Sequence, residues 1–121
     1  MSIQNLPTPA GGHFIPLIDA IDMTNLYRSQ LENILQPEMK DREILPLSET
    51  FSREAFDTLL AQEGCEGIRF YLGMDESLKI HIIAVGVNNM NEDMLNDQES
   101  LIIENSWRCP NTCPPVSVLN S

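Results

Sequence analysis

Positive charge is what this sequence has least of. Seven lysines and arginines stand against 18 aspartates and glutamates, a formal net charge of −11. Such a chain repels a phosphate backbone, which argues against nucleic-acid binding. The same repulsion disfavours an anionic membrane surface. Long apolar runs are missing as well. The longest, from Ile82 to Val87, is far too short to cross a bilayer. Cysteine is sparse and odd in number, with three residues, so no disulfide framework is spelled out. The opening stretch MSIQNLPTPAGGHF has neither the basic start nor the apolar core of a secretory signal, and the expected location is cytoplasmic. Catalytic templates are absent too: there is no G-x-S-x-G, no phosphate-cradling glycine loop and no H-E-x-x-H. No cofactor is expected.

What remains is ordinary material for one small domain. A chain of 121 residues with 42% apolar and 21% charged side chains buries enough surface for a single core without staples. Residues 1–13 hold Pro7, Pro9, Gly11 and Gly12 with little apolar content and read as a flexible arm. Residues 14–107 read as one α+β domain, and residues 108–121 as a proline-rich tail without regular structure.

Within the domain, Leu17, Ala20, Met23, Tyr27, Leu31 and Ile34 recur at steps of three and four, the stripe of a helix that Pro37 stops. Ile44 to Leu47 suggests a short strand confined to an edge by Pro46. Ser52 is placed as an N-cap, with Phe51 and Phe56 at the spacing of a hydrophobic staple, and Gly64 ends the second helix. Ile68–Leu72 and Leu78–Val87 flank the polar turn GMDES and predict a β-hairpin. Leu101 to Glu104 reads as a returning strand. The order predicts an α+β fold, with two helices on one face of a small antiparallel sheet built around the hairpin.

Three constellations carry candidate chemistry. If Leu72 pairs with Leu78, the outer face of the hairpin stacks Tyr71 against Lys79 and Arg69 against His81. Two cations, a phenol and an imidazole would then form a patch suited to a small anion, a carboxylate or phosphate. The structural alternative is a solvated sheet face, which needs polar residues at these positions anyway. Cys109 and Cys113, in SWRCPNTCPP, supply one ligand pair for a metal, or a thiol pair. A second ligand pair would have to come from Cys65, His13 and His81, which are scattered. Three residues rather than two intervene, and Pro114-Pro115 prevents a helix from following, so the thioredoxin pattern is not met. A disulfide between them would not persist in a reducing cytoplasm unless catalytic. The reading preferred for this segment is an inert, proline-stiffened tail docked by Trp107. Asn89, Asn91, Asp93 and Asp97 imitate a calcium loop, but Met94 stands at the glycine position and Ser100 at the bidentate glutamate.

The stretch GCEGIRFYLGMDESLKIHIIAVGVN, taken with the terminal RCPNTCPPVSVLNS, resembles a group of small bacterial proteins. In these, a Gly-Cys-x-x-Ile-Arg strand accompanies an Arg-Cys-Pro-x-x-Cys-Pro-Pro tail. The resemblance covers about residues 15–121 and implies a bacterial origin; it implies no activity, ligand or catalytic residue. Three function classes follow from the residues themselves. The first is a non-enzymatic interaction domain that binds a protein partner or a second copy through strand edges and tail. The second is an anion or small-molecule binder, with or without catalysis, at Arg69, Tyr71, Lys79 and His81. The third is a thiol or metal protein using Cys65, Cys109 and Cys113.

Overall fold

The computed structural model describes residues 3, 4, 6, 7, 12–95 and 101–121. The α+β expectation holds: two helices accompany two small antiparallel sheets. In chain order the elements are α1 (Leu17–Gln30), a 3₁₀ turn (Pro37–Met39), β1 (Ser48–Thr50), α2 (Arg53–Leu60), β2 (Cys65–Met74), β3 (Ile80–Asn88), β4 (Ile102–Ile103) and β5 (Trp107–Cys109).

The hairpin forms the larger sheet, in which β3 lies between β2 and β4. Its register differs from the sequence expectation. Leu72 lies opposite Ile82 rather than Leu78, a slip of four residues. The turn is the cause. Asp75 accepts hydrogen bonds through Oδ1 from the backbone N–H groups of Ser77 (2.8 Å) and Lys79 (3.1 Å), and the Asp75 N–H donates to Lys79 O. That aspartate-centred turn holds residues 75–79 out of the ladder, so β3 starts at Ile80. An even slip keeps every side chain on its expected face. Ile68, Phe70 and Leu72 therefore still share one face with Ile82 and Ala84.

α2 lies against β2 and β3. Ser52 caps it as expected, its Oγ accepting from Ala55 N at 3.2 Å, and the Phe51 and Phe56 rings stack with centroids 5.7 Å apart. Phe56 also meets Phe70 of β2 at 6.2 Å, and Leu59 is fully buried. Leu59, Ala84, Val85 and Val87 make the centre of the core, and the phenylalanines lie toward its margin.

The sequence expected both helices on the sheet face, but α1 is tied to the body by side-chain bonds. Tyr27 Oη donates to Pro46 O (2.6 Å), and Arg28 donates to Leu119 O (2.5 Å) and Ser121 O (2.8 Å). Burial pushes the Tyr27 phenol pKa above its ordinary value. The helix also ends at Gln30, well before Pro37, which instead opens the 3₁₀ turn.

The smaller sheet pairs β1 with β5 and corrects two expectations. The short strand after the first helix is Ser48–Thr50, beyond Pro46 rather than around it. Regular structure also runs into the expected tail, because Arg108 and Cys109 belong to β5 and Cys109 is buried. The expected N-terminal arm falls partly outside the described residues. Gln4 donates its N–H to Asn89 O.

Candidate functional site

The second face of the hairpin carries three of its four expected residues, but only Arg69 and Tyr71 meet in one cluster. Arg69 stands opposite Val85, Tyr71 opposite Ile83 and His81 opposite Gly73, while Lys79 lies in the turn and does not face Tyr71. The partner of Arg69 and Tyr71 is an acid from the chain itself. Arg69 Nη1 meets Asp93 Oδ1 at 2.6 Å, and Tyr71 Oη donates to Asp93 Oδ2. Arg69 Nη2 also donates to Asn91 Oδ1. The phenol and guanidinium hydrogen bonds hold the Asp93 carboxyl below the usual carboxylate range, and Asp93 in turn raises the Tyr71 phenol.

A tight turn delivers Asp93 to this face. Asn88 Oδ1 accepts from Met90 N (2.9 Å) and Glu92 N (3.0 Å), and Asn91 adopts a left-handed φ of 66° that asparagine tolerates. Asp93 then bridges back to Val87, and Met94 N donates to Gly86 O. The asparagine-rich run that imitates a calcium loop is thus a reversal that seats Asp93 on Arg69 and Tyr71. Asp97 and Ser100 of that imitation lie outside the described residues. His81 belongs to a separate pair, its Nε2 at 2.7 Å from Asp75 Oδ2. That hydrogen bond is the main reason the Asp75 carboxyl is held low.

The three cysteines are not gathered. Cys109 and Cys113, which the sequence left as a ligand pair, a thiol pair or part of an inert tail, are joined by a disulfide. Cys65 is a free thiol at the start of β2, its Sγ within 3.3 Å of Gly67 O. Among the described residues, no group of three or more His, Cys, Asp or Glu is arranged to hold a metal ion. No described helix is long and apolar enough to cross a membrane.

Two apolar surfaces are open to solvent among the described residues. The apolar stripe read as core-facing is largely open: Leu17 and Met23 of α1 are 60% and 65% exposed, Ile34 beyond its end is 72% exposed, and Leu26 beside the stripe is 65% exposed. Met23, Leu26, Tyr27, Gln30, Leu31 and Ile34 line a shallow groove of about 260 Å³. Leu31 also lines a neighbouring groove of about 370 Å³, where Leu45, Leu47 and Pro110 are joined by the carboxylates of Glu32, Asp41 and Glu43. The second surface is the outer edge of β2, where Phe70, Tyr71, Leu72 and Met74 are all exposed. Periodicity marked Met23, Ile34, Phe70 and Leu72 as core-facing, but not Leu26, Tyr71 or Met74, and it lacked any signal of what covers them.

No protein-family model matches the chain, and neither a curated protein nor a solved structure matches it.

Proposed function

We propose that this chain is a non-enzymatic interaction domain whose protein partner lies along the apolar face of α1. The observation that carries the reading is that face itself: a helix stripe of core-type residues, open to solvent, leading into an acid-lined groove. An apolar patch of this kind, rimmed by polar residues, is characteristic of a protein-binding surface. The lining charges define the occupant. Glu32, Asp41 and Glu43 stand at one end, the helix's own Arg28 is engaged by Leu119 and Ser121, and Arg42 turns to Ser77 O. An amphipathic segment suits this arrangement, with leucine-type residues on α1 and a lysine or arginine whose stem lies on Leu45 and Leu47 and whose charge meets the carboxylates.

The basic hairpin face supports an anion-binding reading less well, because Asp93 already takes up Arg69 and Tyr71. A cytoplasmic location would favour thiols at Cys109 and Cys113, whereas the disulfide suits an oxidising setting.

The test uses a synthetic amphipathic helix of leucine and lysine as probe, titrated at near-physiological salt and followed by NMR shifts of the whole chain. Shifts should concentrate on Met23, Leu26, Leu31 and Leu45. Leu26→Asp should weaken binding by about tenfold or more, the loss expected from one large apolar contact. Shifts spread over the acidic surface, or binding indifferent to Leu26→Asp, would overturn the reading.

A further inference from the structure

The two edges of the hairpin are treated differently by the rest of the chain. Along the edge of β3 that faces away from β2, every stretch is served. The Ile80 N–H donates to Ile44 O (2.7 Å), and the Ile82 N–H donates to the Glu49 carboxylate (3.2 Å). Ala84 and Val85 pair with β4, Val87 bridges to Asp93, and Asn88 N donates to Glu92 O. A loop carbonyl, a side chain, a strand and a tight turn are all used to close that one edge.

β2 runs for ten residues, Cys65–Met74, and among the described residues no strand pairs with its outer side. The devices that normally protect an edge are few and lie toward its start. There is no lysine and no proline in CEGIRFYLGM, and the irregularity in its ladder sits at its start, between Cys65 and Gly67. The exposed residues are apolar or aromatic, with Leu72 77% exposed and Phe70 55% exposed. Charge points the same way. In a chain of net charge −11, this strand carries one acid, Glu66, and one base, Arg69, and with the Asp93 carboxylate seated on Arg69 holds a single net negative charge. A second acidic copy meets less repulsion here than an average surface would offer.

We infer that the outer edge of β2 is a self-association surface, on which a second copy of the chain adds its own β2 antiparallel across a twofold axis. The twofold selects a register. Centring on Phe70 places Phe70 against its own copy and Ile68 opposite Leu72, extending the apolar face of each hairpin into the other. It also sets Gly67 opposite Gly73, and Arg69 opposite the Tyr71 ring. A shift of one residue, centring on Arg69, would set two guanidiniums face to face and is disfavoured. The product is a continuous sheet in which the two three-stranded sheets of the copies join edge to edge. α1 plays no part in this contact, so the inference stands or falls separately from the reading of that helix.

The test is sedimentation equilibrium of the full chain over concentrations spanning the micromolar range. Wild-type protein should shift from 13.6 kDa toward twice that mass. Leu72→Lys, at a position that is largely solvent-exposed, should remain monomeric with an unchanged circular dichroism spectrum, whereas Leu26→Asp should still associate. Hydrogen exchange of the wild-type chain at low and high concentration provides a readout that needs no variant: amides of Ile68–Leu72 should gain protection as concentration rises. Phe70→Cys in a Cys65→Ser background should form an interchain disulfide on oxidation. A wild-type chain that stays monomeric, or association that leaves β2 exchange unchanged, would overturn the inference.

Discussion

Glu49 and Arg108 stand opposite each other across the two-stranded sheet, and each reaches to the backbone of β3. Arg108 Nη2 donates to Glu43 O (2.7 Å) and Ile44 O (3.0 Å), with Ile80 O at 3.4 Å, while the Glu49 carboxylate accepts from Ile82 N and from Ser106 Oγ (2.6 Å). This pair fastens the small sheet to the hairpin. Neither residue stood out in the sequence, because a glutamate on a short strand looks like one more solvated acid in a chain with 18 of them.

Glu49→Ala should therefore destabilise the chain more than an ordinary surface substitution. It leaves the Ile82 N–H and the Ser106 hydroxyl without their acceptor, a loss of about 1–3 kcal/mol when such groups are shielded from water. Glu49→Gln keeps an acceptor oxygen and should lose less. Urea unfolding of the two variants checks the order, and equal losses would mean that the carboxylate contributes by charge and not as an acceptor.

The Arg69–Tyr71–Asp93 cluster should leave a two-sided mark on the pH dependence of stability. Because Asp93 is held below the ordinary carboxylate range, its contribution is complete above about pH 4 and is lost as the pH falls through its lowered pKa. Tyr71 is displaced the other way, so its contribution holds below about pH 10 and is lost as the pH rises through its raised pKa. Asp93→Asn should flatten both limbs. Asp75, also held low, should preserve part of the acid limb in that variant. Thermal melts from acid to alkaline pH check this, and an unchanged alkaline limb in Asp93→Asn would separate Tyr71 from the cluster.

Two glycines of the hairpin should differ in tolerance. A Cβ at Gly86 would lie 2.9 Å from Gln62 Nε2 and 3.1 Å from Cys65 Sγ. Gln62 is not free to withdraw without giving up its hydrogen bond to Leu59 O. Gly86→Ala should cost about 1–3 kcal/mol as an overpacked core position. At Gly73 the neighbour is the terminal Cδ1 of Ile83, at 2.8 Å, which a side-chain rotation relieves. Gly73→Ala should be the milder change, and denaturation midpoints at unchanged slope decide between them.

The parts of the fold that were legible are those fixed by local chemistry. Ser52, Phe51 and Phe56 spell out the start of α2, and alternation in residues 68–72 spells out which side chains share a face. Alternation is blind to a slip by an even number of residues, so the turn at Asp75 had to supply the register. It therefore moved Lys79 out of the expected patch. The fate of the patch was hidden for a different reason. Asp93 lies 24 residues beyond Arg69, and only the reversal at Asn88–Asn91 brings it back. The α1 stripe was legible as apolar but not as exposed, since periodicity names a face without naming its neighbour.

The terminal cysteines give the last prediction. A disulfide between Cys109 and Cys113 closes a loop of only a few residues, for which chain entropy predicts a stabilisation of roughly 2 kcal/mol. Its position gives it a second role, because Cys109 is buried and pairs with Ser48 at the end of the small sheet. Reduction should therefore loosen β5 against β1 and, through Arg108, the contact to Ile80, while leaving α2 and the centre of the hairpin intact. Non-reduced protein should show one accessible thiol on denaturation, that of Cys65, and three after reduction. Amide exchange with and without reductant locates the effect. Faster exchange confined to residues 48–50 and 107–109 is the expected result. Exchange unchanged along β5 would mean that the bridge serves only the segment it closes.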